Sequence, residues 1–124
     1  MITSIGQVML YVEDIEKCAK FWKEQAQFER VEKQEQGNQI YYIVAPKLTS
    51  DVQFVLHDKK IVAQMNPELN LGTPSILMVS SDLQQTYDLF VEKGIHVNPI
   101  MDVGFMKVFN FSDCEGNYFA IRQE

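Results

Sequence analysis

Apolar residues recur along this chain with two periods, and the switches between them mark out its elements. From Asp14 onward, Ile15, Cys18, Ala19, Trp22 and Ala26 return at helical spacing, and Asp14 stands where a carboxylate accepts the first free amides of a helix. The same period returns after Ser81-Asp82 in Leu83, Tyr87 and Phe90. Ser81-x-x-Gln84 and Asp82-x-x-Gln85 are both capping-box patterns, and Lys93-Gly94 suits a left-handed helix end. Elsewhere the period falls to two, or the chain runs as short β-rich segments. Residues 5–12, 28–35, 40–45 and 52–57 predict a first set of strands, and residues 75–80, 96–101, 106–111 and 117–122 a second. Gly37-Asn38 and Glu115-Gly116-Asn117 predict turns. Between the sets, residues 58–73 carry Asn66-Pro67 and Leu71-Gly72-Thr73-Pro74 and read as a surface crossover.

Both sets follow one order: strand, helix, strand, strand, strand. Laying Asp14 on Asp82 brings Gln7-Val8-Met9-Leu10 onto Ser75-Ile76-Leu77-Met78 and Trp22 onto Phe90. After a slightly shorter intervening stretch in the second set, Gln53 to His57 falls on Tyr118 to Arg122. Such a repeat implies two similar half-sheets related by a pseudo-twofold. It predicts a single domain, with module one at about residues 4–58, a crossover at 59–73 and module two at 74–124.

Composition narrows the class. The 124 residues suffice for one ordinary domain or two small half-domains sharing a core. With 46% apolar and 23% charged residues the chain is globular, neither disordered nor collagen-like nor coiled-coil. A net charge of −6 opposes nucleic-acid binding, which needs a clustered positive field. No apolar run is long enough to span a membrane. The opening Met-Ile-Thr-Ser-Ile-Gly-Gln has neither a basic segment nor a cleavable apolar one, so a cytoplasmic location is expected. Cys18 and Cys114 are too few for a disulfide framework or a zinc knuckle. There is no Gly-x-Ser-x-Gly, no phosphate-cradling glycine loop and no suggestive Cys–His pair.

Three segments carry a family resemblance. They are Gly6-Gln7-Val8-Met9-Leu10-Tyr11-Val12-Glu13-Asp14-Ile15 with Lys20-Phe21-Trp22, then Ser80-Ser81-Asp82-Leu83, then Phe111-Ser112-Asp113-Cys114-Glu115-Gly116-Asn117. In their order and repetition the chain resembles the vicinal oxygen chelate superfamily, which includes glyoxalase I, bleomycin-resistance proteins, extradiol dioxygenases and fosfomycin-resistance enzymes. Cys114 stands where the usual ending has proline. The resemblance covers nearly the whole chain. It implies an α+β fold of two tandem βαβββ modules whose mixed sheets curl into a cup, often completed in a homodimer.

In metal-dependent members the cup holds one divalent ion, bound by His, Gln or Glu from the first and last strands of each module. Carried over position by position, those sites fall at Gln7, Ser75 and Ala120, with Val55 as the remaining counterpart. Val55 and Ala120 have no lone pair to offer, Ser75 is a poor neutral ligand, and Gln7 alone cannot replace the ion's hydration. A register slip by one residue brings in Phe54 or Leu56 and Phe119 or Ile121, which are no better. No metal and no cofactor are therefore expected.

Period-two alternation then predicts what lines the cup: Gln7, Met9 and Tyr11; Gln53, Val55 and His57; Ser75, Leu77 and Val79; Tyr118, Ala120 and Arg122. Its floor is apolar (Met9, Val55, Leu77, Ala120) and its rim polar, the makeup of a small-molecule pocket. Arg122, the sole inward cation, and the two tyrosines suggest an aromatic or carboxylate-bearing ligand rather than a polycation. Each also has an ordinary reading: solvated strand tyrosines, a surface imidazole at His57, an ion pair of Arg122 with Glu124, and Gln7 bonded to Gln53. Phe21 and Trp22 read as core, His96 as structural, and Glu29 to Gln36 as a solvated strand face. The expected function is metal-free small-molecule binding or sequestration, with an unidentified small molecule and a second copy as partners. The alternative is a metal-dependent lyase or isomerase resembling lactoylglutathione lyase, or a metal-free enzyme using His57 or a tyrosine as base. A third possibility is a structural protein whose only role is dimerisation.

Overall fold

Each half of the chain gathers its β-branched and aromatic residues into one four-stranded sheet and covers one sheet face with its helical stripe. The computed structural model describes all residues, Met1–Glu124, in two units, Met1–Thr73 and Pro74–Glu124.

The first unit contains β1 (Gln7–Val12), α1 (Ile15–Lys20), β2 (Glu29–Gln36), β3 (Gln39–Ala45), β4 (Gln53–Asp58) and α2 (Lys59–Met65). Its sheet order is β1-β4-β3-β2, with β1 parallel to β4 and the other pairs antiparallel. Asp14 caps α1 by accepting from the Lys17 amide at 3.1 Å. Alternation sends Leu10, Val12, Tyr42, Val44, Phe54 and Leu56 to the helix side, where all are buried. Trp22 is fully buried and meets the rings of Phe21, Phe28 and Phe54. The buried Tyr42 donates its hydroxyl to Glu16 Oε2 at 2.6 Å, and the Arg30 guanidinium lies 4.9 Å above its ring centre. Burial first, and then the Glu16 bond, hold this phenol above the usual tyrosine pKa. Glu29 to Gln36 is mostly exposed, as a charged strand face should be.

The predicted helix from Asp14 to Ala26 ends unusually. After Lys20 it widens into a π-helical turn, Phe21–Gln25, closed by the Ala26 amide donating to Phe21 O at 3.0 Å. Gln27, not glycine, takes the left-handed conformation that stops it, at φ +64°, and its Nε2 donates to Glu24 O at 3.0 Å. The predicted crossover also differs, because it opens with the helix α2. Asp58 accepts from the Lys60 and Ile61 amides, and Asn66-Pro67 follows the last turn.

The second unit contains β5 (Leu77–Ser80), α3 (Leu83–Glu92), β6 (Met101–Asp102), β7 (Lys107–Ser112) and β8 (Tyr118–Gln123). Its order is β5-β8-β7-β6, again with the outer first strand parallel to the last. Of the two capping patterns Asp82 is the one used, accepting from the Gln85 amide at 3.0 Å. Gly94, at φ +78°, ends the helix as the Ile95 amide returns to Phe90 O. Leu83, Phe90, Phe109, Phe111, Phe119 and Ile121 form the core. The strand predicted over residues 96–101 shrinks to Met101–Asp102 plus one bridge from Val97 to Phe111. Pro99 interrupts it, having no amide to donate to a ladder.

The register bears out the internal repeat. Met9 pairs with Val55 and Tyr11 with His57; at the aligned positions Leu77 pairs with Ala120 and Val79 with Arg122.

Candidate ligand-binding faces

Each sheet has a second face that its unit's core helix does not cover, and the alternation that buries one set of side chains puts the other set there. On the first unit this face carries Gln7, Met9 and Tyr11 from β1, Gln53, Val55 and His57 from β4, and Tyr41 and Ile43 from β3. These side chains have partnered one another. Gln7 Nε2 donates to Gln53 Oε1 at 3.2 Å. His57 Nε2 lies 3.0 Å from Met9 Sδ. The His57 ring stacks on Tyr11, with centres 5.6 Å apart, and takes Tyr41 edge-on at 5.1 Å. Burial lowers the His57 pKa, which favours the neutral imidazole. At one end, Ile61 and Val62 of α2 close against Tyr41 and His57 with no room left for a water molecule. Gln39 Nε2 donates to Met65 Sδ at 2.7 Å. Val55 and Ile43 are buried, and Met9 is 39% exposed.

On the second unit the face carries Ser75, Leu77 and Val79, then Tyr118, Ala120 and Arg122, then Val108 and Asn110. It is more open. Leu77, Val79 and Tyr118 are 48%, 51% and 53% exposed. A cavity of about 200 Å³ is lined by Ser75, Ile76, Asn110, Tyr118, Phe119 and Ala120. Arg122 lies opposite Val79 and Val108, and its Nη1 donates to Gln123 O at 3.0 Å.

The twelve residues singled out in the sequence therefore assemble as two groups, one on each unit's sheet. Tyr41 and Asn110 were not among them. Tyr41-Tyr42 puts one ring on each side of β3, so applying the same alternation to the third strand finds Tyr41. Asn110 emerges only from the pairing of β7 with β8, which sets it opposite Ala120.

The donor set does not fit the divalent ion that metal-dependent relatives hold. Gln7 is bonded to Gln53, Ser75 offers a neutral hydroxyl, and Val55 and Ala120 offer hydrocarbon. No group of three or more His, Cys, Asp or Glu side chains is placed to hold a metal ion. A structural or catalytic site needs about three or four such donors.

Two tandem strand-helix-strand-strand-strand units, each with a parallel first and last strand, define an α+β protein of repeated modules. The family model of the Glyoxalase/Bleomycin resistance protein/Dioxygenase superfamily matches residues 4–121, and the chain belongs to that family. It is 27% identical over 125 residues to the uncharacterized protein YetH of Bacillus subtilis (strain 168), covering 99% of this chain and 100% of that one. Among solved structures it resembles TnmS3, an antibiotic binding protein from Streptomyces sp. CB03234. There the TM-score is 0.83 and the identity 24%, over 98% of this chain and 96% of the other. A glyoxalase/bleomycin resistance protein from the same Streptomyces sp. CB03234 gives a TM-score of 0.78 at 25% identity, over 97% and 100%. No helix is long and apolar enough to cross a membrane.

Proposed function

We propose that this protein binds a small, largely apolar organic molecule on its open sheet faces and does so without a metal ion. The observation that carries this reading is the substitution of hydrocarbon for donors. Where the family's metal chemistry requires lone pairs, β4 and β8 present Val55 and Ala120, flanked by Met9 and Leu77. Apolar surface with a few hydrogen-bonding groups is what a small-molecule site consists of. TnmS3, which shares the fold, is an antibiotic binding protein, so this scaffold serves binding in at least one relative.

The test is the composition of gently purified protein. Native mass spectrometry is expected to show an organic adduct on some chains and only substoichiometric zinc, nickel, manganese or iron. EDTA is expected to leave Tm unchanged. One transition ion per chain, or a chelator-induced fall of several degrees, would overturn the reading, because a bound metal stabilises the folded state by mass action.

A further inference from the structure

The cavity on the second unit's face specifies more about its occupant than apolarity. At about 200 Å³ it has room for one ring with a substituent, since an apolar cavity of about 150 Å³ accepts benzene. Its side-chain lining is hydrocarbon at Ala120 and the Tyr118 ring, and hydrogen-bonding at Ser75, Asn110 and the Tyr118 hydroxyl, while Ile76 and Phe119 border it from strand positions that alternate to the other face. Asn110 pairs directly with Ala120 across β7 and β8, so its carboxamide stands beside the methyl floor. None of the three polar residues is a carboxylate, an ammonium or a guanidinium. The one cation on this face, Arg122, lies two residues on from Ala120, about 7 Å along an extended strand, and one of its N–H groups is turned to Gln123 O. An anion seated against Ala120 would lose hydration with no opposite charge beside it. A neutral amide has matching partners instead: Asn110 offers both N–H donors and a carbonyl acceptor, and each hydroxyl does both.

We infer that this cavity recognises a neutral hydrogen-bonding group, an amide carried on a single aromatic ring, and that Asn110 sets its preference over the corresponding carboxylate. The inference rests on the small-molecule-binding reading above and names the ligand class for one of its two faces. Benzamide and benzoate, identical in shape and different in charge, are the probes, titrated into ¹⁵N-labelled full-length protein. Benzamide is expected to shift the backbone amides around residues 75–77, 108–111 and 118–120, and benzoate to bind about tenfold more weakly or worse, a gap of about 1.4 kcal/mol. The near-isosteric Asn110→Asp on this exposed strand position sets a carboxylate against the benzoate carboxylate and should widen that preference, and Asn110→Leu should lose benzamide binding. Equal or tighter binding of benzoate overturns the inference, as does an unchanged ratio in Asn110→Asp. Shifts confined to the first unit's face overturn it too, while leaving small-molecule binding intact. Silence from both probes also overturns it, and the metal and adduct measurements then decide the broader reading separately.

Discussion

On the first unit's open face, residues on neighbouring strands have become each other's partners: Gln7 with Gln53, Met9 with His57, and His57 with Tyr11 and Tyr41. The aligned positions on the second unit hold Ser75 and Tyr118, Leu77 and Ala120, and Val79 and Arg122, and there Leu77, Val79 and Tyr118 remain about half exposed. The backbone register is the same, so the difference belongs to side-chain chemistry. Long amides and aromatic rings can reach across a strand pair and satisfy one another. A serine, a leucine and an alanine cannot, and they leave a recess instead. In a repeated module, one copy can thus be internally satisfied while the other stays available to a ligand.

The largest effect is expected beneath the faces, where the units are alike. Trp22→Ala in the first and Phe111→Ala in the second each remove a fully buried ring and should cost about 3–5 kcal/mol, read by urea denaturation. A cost below about 1 kcal/mol at either site would mean that the ring is not the packing centre described here.

An intermediate effect should separate the faces themselves. Tyr118→Ala removes a half-exposed ring that lines the cavity, so it should weaken benzamide binding by about tenfold and change stability by no more than about 0.5 kcal/mol. Tyr11→Ala removes the ring stacked on His57. It should cost about 1 kcal/mol of stability and leave benzamide binding unchanged. The reverse pattern would exchange the roles assigned to the two faces.

The smallest effect concerns pH. Burial lowers the His57 pKa below its unfolded value, so the unfolded chain binds the proton more readily. The contribution of His57 is therefore complete above about pH 6.5 and lost as acid protonates the unfolded imidazole, down through the folded pKa. Replacing it by His57→Gln should make Tm fall less steeply between about pH 7.5 and pH 5.5. An identical slope would show that the imidazole is not held neutral by its surroundings.

Much of this was legible in the chain. Period-two alternation placed Leu10, Val12, Phe54 and Leu56 in the core and Gln7, Met9, Val55 and His57 on the opposite face, because it depends only on residues close in sequence. Asp14, Asp82 and Gly94 announced their helix ends for the same reason. The helix α2 was legible in principle, since Asp58 is a cap and Ile61, Val62 and Met65 have helical spacing, but the proline and glycine that follow dominate the segment. The π-helical turn was not legible: its left-handed stop falls on Gln27, whose side chain bonds to Glu24, and nothing in glutamine itself signals that conformation.

What the sequence determined alone is which side of each strand a residue occupies, so that Val55 shares a face with Met9 and Ala120 with Leu77. Only the tertiary structure decided which of those residues meet. Tyr41 joins His57 because β3 lies beside β4, and Asn110 reaches the cavity because β7 pairs with β8 in one register. Facing follows from the geometry of a single extended strand. Neighbourhood follows from strand order and register, which the packing of a whole unit selects and no short stretch of chain encodes.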